Sequence, residues 1–234
     1  MKQTDTKKLT ILAMLCALAY VAVSLIRIPA VEFLKYEPKD VIITFGGFLY
    51  GPSAALAVSV IVSFLEMVTI SDTSWIGLLM NILSTAAFAC TASLLYKKKH
   101  TLSGAVVGLC IGTVLMTAAM LLWNYLLTPL YMKTPRADVA AMLVPIFLPF
   151  NLIKGSLNSA LTALLYRPLV QSLRRAKLFP RTQSTAQPEK QSKLVFYLAS
   201  LACLLFAVVM FLIFLAPDAW HAVKDCILGL LGRG

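Results

Sequence analysis

The stretch of sequence that decides the fold is VIITFGGFLYGPSAALAVSVIVSFLEMVTI, which runs from Val41 to Ile70. Its 30 residues are almost entirely apolar, whereas a single crossing of a bilayer takes about 20. Gly51 and Pro52 interrupt the stretch, and a Gly-Pro pair is a strong turn signal. The pattern therefore predicts a short helix over about 40–50, tilted or packed inside protein, and a second helix over about 53–70.

Further apolar runs lie on both sides of this helical pair, separated by short polar segments such as the loop 29–40. They predict membrane spans over 9–28, 75–96, 102–127 and 149–171, with one more over 194–215. The expected fold class is an all-α membrane protein of six or seven transmembrane helices without a soluble globular domain. We divide it into a six-helix domain (1–175), a polar linker (176–193) and an extra transmembrane helix with a short tail (194–234).

The composition agrees with a membrane protein. Hydrophobic residues make up 59% of the chain and charged residues 13%, about half the charged share of a soluble domain. The net charge of +11 lies in short clusters between the apolar runs, which suits membrane orientation rather than nucleic-acid binding. The five cysteines are widely spaced and form no CxxC pair, so we predict neither a disulfide framework nor a metal site.

Motifs of catalysis are missing from the sequence. Residues 46–53 have the outline of a phosphate loop, but Pro52 stands where the loop requires a lysine. Glu66 is the lone carboxylate of its span, with no second glutamate and no histidine pair beside it in the sequence. We therefore predict that the chain is not an enzyme, and in particular neither an ATPase nor an intramembrane protease.

The distribution of basic residues predicts the orientation in the membrane. If the N-terminus is cytoplasmic, 13 Lys and Arg residues fall in the inner segments 1–8, 97–100 and 167–193. Seven fall in the outer segments 27–40, 71–74, 128–140 and 216–234. Because cytoplasmic segments carry the excess of basic residues, we expect the N-terminus inside.

Three polar residues inside the spans are the candidate ligand-binding groups. Lys154 is costly in a membrane and is expected to face protein or a cavity, and Asn151 lies three residues earlier on the same helical face. Asn124 lies near the outer end of the preceding span, beside Trp123 and Tyr125. Two amides and an ammonium would suit a flat ligand with a polar edge, since amides match the donors and acceptors of an imide. The alternative is that Lys154 reaches the interface and the asparagines bond neighbouring helices.

Small residues in the first span predict a contact surface. Ala13 and Ala17 form a small-xxx-small pair that lets another helix approach closely. The partner helix could belong to another subunit or to this chain, and the sequence leaves both alternatives open.

Four segments resemble a known family: FLKYEPKDVIITFGGFLYGPSAA, MNILSTAAFACTASLLYKKK, LWNYLLTPLY and LPFNLIKGSLNSALTALLY. They are similar to the riboflavin-specific substrate-binding (S) component, the RibU family, of energy-coupling factor (ECF) vitamin transporters. The resemblance covers about residues 8–175, in order and with the spacing of all six spans. It implies a six-helix bundle in a bacterial cell membrane, with a pocket near the outer face that the loop after the first helix covers.

The resemblance also implies the site and the partners. Riboflavin is bound as a substrate, with no cofactor, by the residues that match the family's ligands; these are Asn124, Asn151 and Lys154, with Leu34 and Asp40 in the first-loop region. Ala13 and Ala17 match the surface that docks on the transmembrane T component, and two ATPase subunits complete the transporter. Glu66 departs from the family pattern, and the run 194–215 lies beyond the usual six helices.

Several alternatives remain open from the sequence. The same fold could carry another vitamin, and FMN could be carried beside riboflavin. A non-catalytic assembly subunit of the membrane would bind no small molecule at all.

Overall fold

The computed structural model describes residues 3–31, 34–71, 73–99, 101–133, 135–175 and seven positions between 201 and 211. Nearly all of this part of the chain is helical. Within these described residues, five helical segments are long and apolar enough to cross a membrane. The predicted class, an all-α membrane protein, is confirmed.

The stretch that decides the fold forms the expected pair of helices. Helix α1 (Gln3–Leu25) precedes it, and the pair consists of α2 (Lys39–Tyr50) and α3 (Pro52–Thr69). Gly51 joins them with a φ of 92°, in the left-handed region that side chains with a Cβ rarely adopt. At 12 residues, α2 is about 18 Å long, too short for a hydrocarbon core of about 30 Å. Most of its residues are buried, so it packs inside the protein, as expected.

The polar loop after α1 contains a small β-hairpin that the sequence did not predict. Strand β1 (Ile28–Val31) pairs antiparallel with β2 (Leu34–Tyr36), and Ile28 lies opposite Tyr36. Because β1 begins at Ile28, α1 ends at Leu25 rather than at the predicted position 28. The hairpin leads directly into the first turn of α2.

Two long helical segments pack closely against each other. Helix α4 (Ser74–Thr85), a π-helical segment (Ala86–Cys90) and α5 (Thr91–Lys99) form one rod, close to the predicted span 75–96. Helix α6 (Leu102–Met132) packs against this rod. A Cβ at Gly112 would lie 2.7 Å from the carbonyl oxygen of Phe88, so glycine permits backbone-to-backbone contact there.

The last two predicted boundaries of the six-helix domain were wrong. Helix α6 continues through Pro129 to Met132 instead of ending at 127. The sixth helix does not begin at Pro149, because α7 (Arg136–Met142), a π-helical segment (Leu143–Phe147) and α8 (Leu148–Arg175) follow one another without a break. Proline removes one backbone hydrogen bond, and neighbouring helices and local π adjustments accommodate this loss in membrane helices.

The buried residues that the structure describes form two apolar clusters. The larger lies within the helical bundle and contains Phe48, Phe88 and Tyr96. The second lies against the hairpin and contains Tyr36 and Phe150.

The predicted linker, the tail and most of the predicted span 194–215 lie outside the described residues. The seven described positions of that span are helical. The ring of Phe211 lies 5.7 Å from the ring of Tyr36, centroid to centroid, so this helix contacts the hairpin.

Candidate functional site

A cavity of about 330 Å³ lies between the hairpin and helices α4, α6 and α8. This volume is at the lower end of the range of small-molecule sites, about 300–1,000 Å³. Its lining combines charged, polar and apolar side chains: Arg27, Leu34, Lys35, Glu37, Thr73, Gly77, Met80, Asn81, Ser84, Met120, Phe150, Asn151 and Lys154. The cavity therefore offers an apolar space with polar groups on several walls.

Helix α8 contributes Asn151 and Lys154 to one wall, as their spacing in the sequence indicated. The side chain of Asn151 donates from Nδ2 to the carbonyl oxygen of Phe147 at 2.7 Å. Lys154 is 7% exposed, and its Nζ lies 3.7 Å from Oδ2 of Asp40. An ammonium and a carboxamide thus face the cavity from adjacent turns, and the ammonium has a carboxylate behind it.

Asp40, in the first turn of α2, is the buried carboxylate that organises this wall. Thr85 donates to its Oδ1 at 2.6 Å, and Asn158 donates from Nδ2 to its Oδ2 at 3.2 Å. The hydroxyl of Tyr36 donates in turn to Oδ1 of Asn158 at 3.1 Å. Asp40 therefore links α2, α4, α8 and the hairpin. It does not line the cavity itself but contacts Lys154, which does.

The other two predicted site residues have different positions. Leu34, in β2, lines the cavity. Asn124 is buried behind the lining, where its Nδ2 donates to the carbonyl oxygen of Met120 at 2.7 Å and its Oδ1 accepts from Thr128 at 2.8 Å. Met120, one helical turn away, does line the cavity. The structure brings Leu34, Asn151 and Lys154 together around the cavity, with Asn124 one turn further along α6.

Beside the cavity lies a chain of paired acidic and basic side chains that sequence reasoning missed. Arg27 donates from Nε to Oε1 of Glu37 at 3.0 Å, and Lys39 Nζ lies 2.8 Å from Oε2 of Glu37. Lys39 also donates to Oε1 of Glu66 at 2.6 Å, and Asn81 donates to Oε2 of Glu66 at 2.9 Å. Glu66, alone in its span in the sequence, is therefore neutralised by a lysine from α2 and lies near a second glutamate.

Glu37 connects the hairpin to this chain of charges. Burial alone would raise the pKa of its carboxyl group, but the charges of Lys39 and Lys154 and the hydrogen bond from Lys39 hold the pKa below its ordinary value of 4.5. The carboxylate is thus ionised in the folded protein at neutral pH. The Arg27–Glu37 ion pair joins the two ends of the hairpin, and the Lys39–Glu37 pair connects it to the start of α2. The Tyr36–Asn158 hydrogen bond holds β2 to α8.

The predicted contact surface on α1 faces outward. Ala13 and Ala17 are exposed, whereas Cys16 and Ala19 on another face of the helix are buried. Met14 and Leu18 beside the alanines are also exposed. Within the described residues, therefore, the two alanines do not serve internal packing.

Comparisons with known proteins identify a matching family and several similar proteins. The family described as the ECF transporter, substrate-specific component, matches residues 7–166. The riboflavin transporter RibU of Streptococcus thermophilus is 32% identical over 71% of this chain and 84% of its own. The riboflavin transporter FmnP of Bacillus subtilis is 28% identical over 74% of this chain and 98% of its own.

A solved structure is similar as well. It is described as the S component of a bacterial ECF transporter, and it is 32% identical in sequence with a TM-score of 0.62. The similarity covers 72% of this chain and 98% of that structure.

Proposed function

The chain belongs to the family of substrate-specific components of ECF transporters, and on that premise we propose that it is the riboflavin-binding subunit of an ECF-type importer. The observation that carries the proposal is the placement of Asn151 and Lys154 on one wall of a cavity whose other lining includes Met120 and Phe150. Such a cavity can bury a flat ring system and hydrogen-bond its polar edge. Relatives that bear the name riboflavin transporter support this choice of ligand.

Each predicted site residue has a role in this proposal. Asn151 and Lys154 bind the polar edge of the flavin ring, and Leu34 contacts its face. Asp40 orients Lys154 and balances its charge, since an unpaired ammonium in a span is costly. Asn124 contacts the ligand after its carboxamide exchanges the hydrogen bond with Thr128 for one with the ring.

Transport requires partner subunits in this proposal. The exposed Ala13–Ala17 face of α1 docks on a transmembrane T subunit, because small residues let helices approach closely. Two ATPase subunits then supply the energy for release of the vitamin inside the cell. This chain binds the ligand without transforming it.

The protein spans the membrane several times, and we propose that its N-terminus is cytoplasmic. The bias of 13 inner against seven outer basic residues supports this orientation. Labelling of single cysteines, introduced into a cysteine-free background at position 98 and in the linker, should modify both from the cytoplasmic side only. Labelling of the linker from outside would reverse the orientation.

The choice of ligand is tested by equilibrium binding of a vitamin panel to the purified protein in detergent. Riboflavin should bind most tightly, with FMN included to measure the effect of a phosphate. Binding of a different vitamin in place of riboflavin would leave the family assignment unchanged and contradict riboflavin as the ligand. Absence of binding to every vitamin would favour the non-catalytic assembly subunit.

A further inference from the structure

Helix α4 presents polar side chains to the cavity, as α8 does on another wall. Gly77, Asn81 and Ser84 follow one another at helical spacing and all line the cavity. Asn81 donates to Glu66 at 2.9 Å, and the next residue after Ser84, Thr85, donates to Asp40 at 2.6 Å. Two polar side chains of this helix are therefore engaged with buried carboxylates.

Ser84 is the member of this face without such a partner. It is 2% exposed, and among the described residues its hydroxyl group has no hydrogen-bond partner. Buried polar groups are nearly always hydrogen-bonded, and an exception calls for an explanation. Because Ser84 lines the cavity, a ligand there can supply the missing bond.

Ser59 provides the comparison within the same protein. Its hydroxyl group is also buried without a partner among the described residues. It lies in α3, however, and is not among the residues that line the cavity. The two serines share burial and lack of a partner, and they differ in access to the cavity.

We propose that Ser84 is a specificity-determining residue that hydrogen-bonds the hydroxylated side chain of the flavin, the ribityl chain. This proposal rests on the proposed function and names the part of the ligand that meets α4. A serine hydroxyl both donates and accepts and rotates freely, which matches an alcohol whose own hydroxyl rotates. The carboxamide of Asn151 and the ammonium of Lys154, on the other wall, suit the carbonyl groups and ring nitrogens of the flavin ring.

Two variants and two ligands test the assignment. Ser84→Ala and the control Ser59→Ala are compared with the parent by titration with riboflavin and with lumichrome, a flavin ring without the ribityl chain. Ser84→Ala should weaken riboflavin binding by about three- to tenfold, the value of one neutral hydrogen bond, and leave lumichrome binding unchanged. Ser59→Ala should change neither affinity.

Thermal unfolding of the ligand-free proteins checks that both variants fold. Each should unfold at or above the temperature of the parent, because alanine removes an unsatisfied hydroxyl from a helix. Unchanged riboflavin affinity in Ser84→Ala overturns the proposal, and so does an equal loss for riboflavin and lumichrome, which would put the contact on the ring. A parent protein that binds no flavin overturns the proposed function, and the assignment of Ser84 with it.

Discussion

Lys39 donates to Glu66 at 2.6 Å, and both side chains are only 1% exposed. The two residues lie on consecutive helices, Lys39 at the start of α2 and Glu66 near the end of α3. Gly51 joins the C-terminal end of α2 to the N-terminal end of α3. The ion pair therefore links the other two ends of these helices. It also fixes the start of α2, from which Asp40 reaches Lys154.

The first prediction is that replacing Lys39 destabilises the protein more than replacing Glu66. Lys39→Met would leave Glu66 buried near Glu37 without a cation, and a buried charge without a partner costs about 3–5 kcal/mol. Glu66→Gln leaves Lys39 paired with Glu37 and should cost about 1.5–3 kcal/mol, the value of a hydrogen bond to a charged group. Thermal unfolding in detergent measures both.

The double variant, Lys39→Met with Glu66→Gln, is the control for this asymmetry. Glu37 keeps its contact with Arg27, so the double variant should be more stable than Lys39→Met alone. Strictly additive losses would show that the two side chains act independently, in contradiction to the ion pair.

The second prediction concerns the pH dependence of the hairpin. The pKa of Glu37 is lowered in the folded protein, so its ion pairs stabilise the fold fully above the ordinary pKa of 4.5, and this contribution is lost as pH falls through the lower folded pKa. Glu37→Gln lacks the charge at every pH. The difference in unfolding temperature between parent and variant should therefore be constant near neutrality and shrink only below pH 4.5.

The result is contradicted if the difference stays constant through the acidic range or grows on acidification. A constant difference would mean that folding does not shift the pKa of Glu37, and growth on acidification would mean that the folded protein favours its neutral form. Either outcome would contradict ion pairs of Glu37 with Arg27 and Lys39.

The third prediction separates docking from ligand binding. Ala13→Trp combined with Ala17→Trp should block close approach of a partner helix and abolish ATP-driven riboflavin uptake by cells that contain the T and ATPase subunits. Riboflavin binding to the isolated variant should match the parent, because both alanines are exposed on the outer side of α1. Val114→Trp, at an exposed position of α6, is the matched control and should leave uptake intact. Uptake that survives in the double tryptophan variant would show that α1 is not part of the docking surface.

Much of the fold could be predicted from the sequence because a bilayer restricts spans to helices of known length. The split at Gly51–Pro52 followed from the excess length of the run 41–70. The hairpin was missed because strands of three and four residues inside a polar segment carry no periodic signal. The end of α6 and the start of the sixth span were misplaced because proline, a helix breaker in soluble proteins, is tolerated in membrane helices.

The site was predictable only in part, because spacing within one helix can be seen in the sequence but contacts between helices cannot. Asn151 and Lys154 are three residues apart on one helix, so local spacing shows that they share a face. The pairing of Lys39 with Glu66 joins two helices, and its only signal was the presence of opposite charges at comparable distances on either side of the Gly51–Pro52 turn. The sequence does not distinguish Ser84, which lines the cavity, from Ser59, which does not.

Riboflavin titration of the parent and of two α8 variants, followed by quenching of flavin fluorescence, tests the central claim most directly. Asn151→Ala removes a neutral hydrogen bond and should weaken binding by about three- to tenfold. Lys154→Met keeps the apolar stem and should weaken it by about ten- to a hundredfold, as expected for a bond to a charged group. Tight binding by the parent, with these losses in folded variants, is the predicted result. A folded parent that binds no riboflavin, or variants that bind it as tightly as the parent, would contradict the assignment of this cavity as a riboflavin site.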